Sequence, residues 1–205
     1  MAIVFPRELP DVGFVTADVT LADPVRASPS GARLINYTQV EDPAWQASMV
    51  TRPLLYSEYS AVEAWWLSLR EGLRAVLFRH PWDCYPRLHR ANHAPADVAG
   101  VLVSIASGNV LDVAGVDPAL ALSVGDRVGL ERLGRYHIGR VADVSGAGTT
   151  RQITIEPPPQ GVVTQAGAVM RFARPALIMR PVPGSFQAPK SSHRYNVSFQ
   201  LRESQ

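Results

Sequence analysis

Between residues 14 and 21, Val15, Ala17, Val19 and Leu21 alternate with Thr16, Asp18 and Thr20. A period of two marks a strand with one buried face. The same period recurs over 45–50, where Trp45, Ala47 and Met49 oppose Gln46 and Ser48, and near the end of the chain, where Tyr195, Val197, Phe199 and Leu201 alternate with Asn196, Ser198, Gln200 and Arg202. Another strand is expected over 33–40. The stretch before it, with Pro24, Ser28, Pro29, Ser30 and Gly31, reads as a loop, and Asp42-Pro43 as a turn. The period changes once. Val62, Trp65, Trp66 and Leu69 fall at i, i+3, i+4 and i+7, which predicts a helix over 58–71 with one apolar stripe. Ser57 or Ser60 is the expected cap, Ser60 to Glu63 reads as a capping box, and Gly72 as the terminator. A helix this short needs a sheet to cover its tryptophans. Trp45, Val62, Trp65, Trp66, Leu69 and Phe78 are therefore expected in a core, with Phe78 on an apolar strand over 73–78 that Pro81 ends.

From about residue 94 charge thins and short apolar runs are separated by Gly, Asp, Asn and Pro. Strands are expected over 101–105, 110–113, 126–130, 136–143, 151–155 and 169–172. Ser145-Gly146-Ala147-Gly148 suits a hairpin loop, and Pro157-Pro158-Pro159 stops the strand before it. Short strands so closely spaced suggest a small barrel or sandwich. The well-patterned terminal strand must pair with a sheet already built, and the N-terminal one is the nearest host. On that division 1–93 and 175–205 form one β domain, and 94–174 is an inserted small β domain. The fold class is mainly β, with a single packed helix.

The 205 residues can bury one sizeable core or two small ones. Twenty basic residues against 18 acidic ones give a net charge of +2, and no basic stretch stands out. That is a poor match to a sequence-specific nucleic-acid binder, which concentrates positive charge. All the basic residues but Lys190 are arginines, which favour bidentate pairs and desolvated interfaces. The single cysteine, Cys84, rules out an intrachain disulfide framework. No apolar run is long enough for a transmembrane helix, and no secretory signal is evident, so a soluble protein folded in a reducing compartment is expected.

His80, Cys84, His89 and His93, spaced H-x3-C-x4-H-x3-H, are the best candidate metal cluster. A second cysteine is missing, and Pro81, Pro86, Arg79, Arg87 and Arg90 interrupt the run, so surface histidines on a loop are the expectation, with no metal and no cofactor. Cys84 with His80 or His89 lacks any sign of an oxyanion hole, and no G-x-S-x-G elbow occurs. Asp112, Asp117, Asp126, Glu131 and Asp143 sit in turn-rich contexts, where Asp serves the backbone. Gly146-Ala147-Gly148 lacks the helix and lysine of a phosphate loop. Trp45, Trp65, Trp66 and Trp82 could stack on a sugar, but two of them belong to the helix stripe. No catalytic constellation is expected.

The order of features carries a further signal. Phe5-Pro6-Arg7-Glu8-Leu9-Pro10 opens the chain. Trp45-Gln46-Ala47 precedes the Trp65-Trp66 helix, Gly72, Val76-Leu77-Phe78 and a loop closing in Pro86-Arg87. Leu122-Ser123-Val124-Gly125-Asp126 leads to residues 136–143, Ile153-Thr154-Ile155-Glu156-Pro157, Gly161 and Gly167-Ala168-Val169-Met170-Arg171. This order, over nearly the whole chain, resembles the roughly 200-residue minor tail proteins of long-tailed phages and prophages, distal tail proteins among them. His80 and Cys84 stand where small or acidic residues are expected in that family, and residues 91–99 replace a glycine-rich link. The resemblance implies a tail-tube-like β-sandwich with a packed helix, an inserted outward-facing β domain, and a ring of six copies around the tail axis. It implies a virion protein made in the bacterial cytoplasm, partnered by the tail tube protein and the hub or baseplate, and not an enzyme. Binding of a host surface glycan by the middle domain is the alternative.

Overall fold

The computed structural model describes residues 3–30 and 34–204. The chain is mainly β and divides into two compact units, one made of residues 1–76 with 179–204, the other of 77–178. The boundary lies earlier than residue 94, and Cys84, Arg87 and His89 are bonded to the second unit's own elements. The Arg87 N–H donates to Asp126 Oδ1 (3.1 Å), the Ala121 N–H to His89 Nε2 (2.8 Å) and the Arg174 N–H to the Cys84 carbonyl (2.6 Å).

The first unit opens with β1 (Arg7–Glu8), β2 (Phe14–Ala22), β3 (Val25–Ser30), β4 (Leu34–Gln39) and β5 (Ala44–Thr51), followed by α1 (Tyr56–Ser68) and β6 (Val76–Arg79). Helix α2 (Ala94–Asp97), β7 (Gly100–Ala106), β8 (Val110–Ala114), β9 (Arg127–Arg132), β10 (Arg135–Ser145), β11 (Thr150–Glu156) and β12 (Val169–Arg171) build the second unit. Strands β13 (Ala176–Pro181), β14 (Lys190–Ser191), β15 (Arg194–Tyr195) and β16 (Ser198–Glu203) complete the chain.

Six strands form one sheet in the order β1-β6-β13-β16-β5-β2. The terminal strand does return to the N-terminal sheet: β16 pairs with β5 (Phe199 opposite Met49, Leu201 opposite Ala47), and β5 with β2. One face of this sheet is apolar. Ala17, Trp45, Ala47, Met49, Phe199 and Leu201 are buried on it, whereas Asp18, Gln46, Ser48, Gln200 and Arg202 are exposed on the other. Helix α1 brings its stripe to the apolar face. Trp65 and Trp66 each lie 5.5 Å from the Phe199 ring, Trp66 stacks on Phe186 at 5.2 Å, and the Trp65 indole N–H donates to the Glu8 carbonyl (2.9 Å). Trp45, Val62, Trp65, Trp66, Leu69 and Phe78 are all buried.

Several local details depart from the sequence expectation. The helix starts two residues early, and its N-terminus is closed by the Glu58 carboxylate accepting from the Leu55 N–H (2.9 Å). Ser57 and Ser60 therefore lie inside it. It also ends sooner, at Ser68, because Arg70, Glu71 and Gly72 all take positive φ (51°, 51° and 93°) and unwind the chain before Leu73, which is exposed and precedes the strand. At residue 15 the β2–β5 register slips, so Val15 bulges out to 60% exposure while Phe14 meets Phe199 edge-on at 6.4 Å. The run expected to end the chain as one strand breaks at Asn196–Val197: Tyr195 turns to the short β14–β15 hairpin and stacks on Tyr59 at 4.2 Å. Residues 25–30 of the stretch expected as a loop are strand β3, paired along its length with β4. Gly31 and Arg33 of the expected loop and strand lie outside the described residues.

Gly72 gives a sharp test. Its φ is +93°, and a Cβ there would meet the Pro181 carbonyl oxygen at 2.8 Å. Gly72→Ala is expected to cost about 2–3 kcal/mol in denaturant melts, combining backbone strain with a clash against rigid backbone. Gly184→Ala, also at positive φ but with open space around it, is the control and should cost only about 1 kcal/mol.

In the second unit β10-β11-β8-β7-β12-β9 close into an antiparallel barrel. Its interior is filled by Leu102, Leu111, Val128, Leu130, Ile153, Ile155, Met170 and Phe172, all 1% exposed or less. Closure leaves no open sheet edge within the barrel. Residues 94–97, expected to belong to the link, instead form the short helix α2.

Candidate functional site

The four candidate metal ligands are held apart, each with its own partner. His80 Nδ1 accepts from the Asp83 N–H (2.8 Å) and the Trp82 N–H (3.2 Å). The Cys84 thiol donates to the His80 carbonyl, and burial pushes it up, away from the thiolate a nucleophile needs. Buried His89 accepts from Ala121. His93 stacks on Tyr85 at 3.8 Å. Among the described residues no three His, Cys, Asp or Glu side chains are grouped so as to hold a metal ion.

Of the five acids expected in turns, Asp117 and Asp126 serve the backbone, whereas Asp112, Glu131 and Asp143 lie in strands β8, β9 and β10. Asp117 Oδ1 accepts from the Ala119 N–H (2.7 Å), and buried Asp126 accepts from Ser123 (2.7 Å) and Arg87. Asp112 sits on the barrel exterior between the Ser104 hydroxyl (2.7 Å) and the Gln152 amide (3.0 Å), two donors that hold its carboxyl below the usual range. The groove between residues 7–12 and α1 contains no nucleophile and base in contact: Arg7 donates to Ser68 Oγ (2.7 Å), and Glu58 is committed to Arg52 and Leu55. Of the four tryptophans only Trp82 is exposed, at 54%.

The structure instead displays surfaces suited to docking. Strands β3 and β4 form a two-stranded hairpin that belongs to no larger sheet. Directly opposed residues share a face. Val25 opposite Gln39, Ala27 opposite Tyr37, and position 29 opposite Ile35 therefore line one face. Arg26 opposite Thr38 and Ser28 opposite Asn36 line the other. The first face is the apolar one, and it is exposed: Val25 46%, Ile35 56% and Tyr37 70%. A lone hairpin is marginal in water and normally needs a third strand or a packed surface. Beside it in sequence, β2 is the terminal strand of the six-stranded sheet, paired with β5.

Sequence reasoning expected β4 but missed β3, because Pro24, Ser28, Pro29 and Ser30 weigh toward loop. The signal was present in Val25 and Ala27 alternating with Arg26 and Ser28. No protein-family model and no curated protein matches this chain.

Proposed function

We propose that this chain is a structural component of a phage tail tip, a ring-forming adaptor between the tail tube and the hub or baseplate. The observation that carries the reading is the β3–β4 hairpin with its uncovered apolar face, next in sequence to the terminal strand of the six-stranded sheet. That apolar face is a surface that a solitary molecule leaves in water and that a neighbour in a ring covers. A head-to-tail contact of this kind closes into a ring when its rotation closes. The order of motifs along the chain and the two-unit β architecture support the same reading. No helix among the described residues is long and apolar enough to cross a membrane.

The test is composition of particles. Purified phage or induced prophage particles should contain the protein in a fixed, low copy number, and electron microscopy should place it as a ring at the tail end. Its absence from particles ends the proposal. Recognition of a host surface glycan by the second unit is the competing role, favoured by exposed Trp82. Calorimetric titration with host polysaccharide that shows no heat removes it.

A further inference from the structure

The second unit carries a concentration of arginine that its fold does not neutralise. Arg127, in β9, is buried with Nε 3.3 Å from Asp83 Oδ2, and Arg90 lies 3.9 Å from the same carboxylate. Burial, reinforced by nearby Arg140, pulls the Arg127 guanidinium below its usual range. Arg87 and Arg140 converge on one turn: Arg87 donates to the Val124 carbonyl, Arg140 to Gly125 (3.0 Å), and Arg87 Nε is 3.4 Å from buried Asp126. Arg174 joins them next to Cys84, where Arg127 and Asp83 also act. Five guanidinium groups thus face two carboxylates. Arg87, Arg90, Arg140 and Arg174 are exposed, and so are Trp82 (54%) and Leu88 (63%) on the same 80–90 segment. Tryptophan and arginine are the residues enriched where binding energy concentrates.

The first unit carries the complement. At the root of the β3–β4 hairpin the Val25 N–H donates to the Asp23 carbonyl (2.9 Å) and the Val40 N–H to the Pro24 carbonyl (3.0 Å). The Val40 bond ties the two root segments together and brings exposed Asp23, Glu41 and Asp42 to one end of the hairpin. Among the described residues only Glu41 has an ion partner, Arg202 at 3.8 Å. Above these carboxylates runs the exposed apolar face of Val25, Ile35 and Tyr37.

We infer that the hairpin of one copy seats on the arginine surface of a second copy. Its acidic root meets Arg87, Arg90, Arg140 and Arg174, and its apolar face covers Trp82 and Leu88. The inference rests on the ring reading and names the contact within it. Each surface repels its own like, so a two-fold contact of either with itself is disfavoured and the joint runs head to tail. Single exposed ion pairs are weak. Four arginines against three carboxylates, around an apolar anchor, give both register and a salt-dependent association.

Sedimentation velocity on the full chain tests it. The native protein should self-associate at low salt and dissociate as salt rises. Arg87→Glu/Arg90→Glu and, separately, Asp23→Arg/Glu41→Arg/Asp42→Arg should each weaken self-association at least about tenfold, because the first sets two new acids against the acidic root and the second sets a basic root against the arginines. Mixed in equal amounts, the two should associate again, since each supplies what the other lost. Arg90→Glu/Arg174→Glu, which spares the Arg87–Asp126 pair, replaces the first variant if that one misfolds by circular dichroism. A native protein that stays monomeric at low salt overturns the inference, as does association unchanged by either reversal or a mixture that fails to recover. So does an arginine variant that keeps self-association but loses binding to alginate, which would assign the surface to an acidic polysaccharide. Rings found in particles and indifferent to both reversals would sink this contact while leaving the ring reading intact. Absence of the chain from particles would sink the reading itself.

Discussion

Trp65→Ala should destabilise the first unit by about 3–5 kcal/mol, the range for truncating a buried aromatic. Trp65 is 4% exposed and lies within aromatic contact distance of both Trp66 (6.3 Å) and Phe199 (5.5 Å). Phe199 itself is a sheet residue opposite Met49, so the indole is the joint between α1 and the centre of the sheet. Alanine would leave a void that the two neighbouring rings cannot close, and would remove the indole N–H that donates to the Glu8 carbonyl. Urea denaturation followed by far-ultraviolet circular dichroism is the measurement. A loss below about 1 kcal/mol would show that α1 does not hold the sheet through this residue. Trp82→Ala is the contrast: at 54% exposure it should shift stability by no more than about 0.5 kcal/mol. Any larger consequence of Trp82→Ala should be seen in association, not in folding.

Much of the architecture was legible because burial here is one-sided. In β5 and β16 an apolar residue stands at every second position, and such a run can only be a half-buried strand. The barrel strands were equally readable, since Gly, Asn and Pro punctuate their short apolar runs and the interior residues Leu111, Val113, Ile153 and Ile155 keep the period of two. The failures occur where long-range contacts override local preference. Nothing local says that Val15 bulges out, because the slip is set by pairing with β5. Helix α1 ends on two non-glycine residues at positive φ, which propensity disfavours; Glu71 is held there by accepting from the Gly184 N–H (3.0 Å), more than a hundred residues away. The place of residues 80–93 was hidden for the same reason, since Cys84, Arg87 and His89 bond to residues beyond 120.

The candidate site was less legible than the fold. The residues that drew attention by chemical type, His80, Cys84, His89 and His93, serve as loop fasteners or stack on a neighbour. Those that now carry the functional argument are ordinary in sequence: Val25, Ile35, Tyr37 and a scatter of arginines and acids. What distinguishes them is exposure and juxtaposition. Arg87 and Arg140 are more than fifty residues apart, yet they bond adjacent carbonyls of one turn. An interface built of unexceptional residue types leaves no spacing motif, whereas a metal or catalytic site would have left one.

The second unit should lose stability in mild acid because of one buried histidine. His137 is 4% exposed, and its Nε2 lies 3.1 Å from the Pro157 carbonyl, an arrangement in which the neutral ring donates its proton. Burial, partly opposed by that bond to Pro157, drops its pKa from 6.5 to about 4. Between those values the unfolded chain binds a proton that the folded chain does not, so folding stability must fall as pH falls through this window. The loss approaches about 3 kcal/mol near pH 4, at the exchange rate of one pKa unit for about 1.4 kcal/mol. Above about pH 6.5 the ring is neutral in both states and its contribution is flat. Urea melts at a series of pH values should show the decline, and the difference between native protein and His137→Gln should isolate it from carboxylate titration. A carbon chemical shift of the His137 ring that moves near pH 6.5 would place the imidazole in water and refute the account. A shift that stays constant down to about pH 5 would fix it inside the unit, holding the Pro157 strand end against β10.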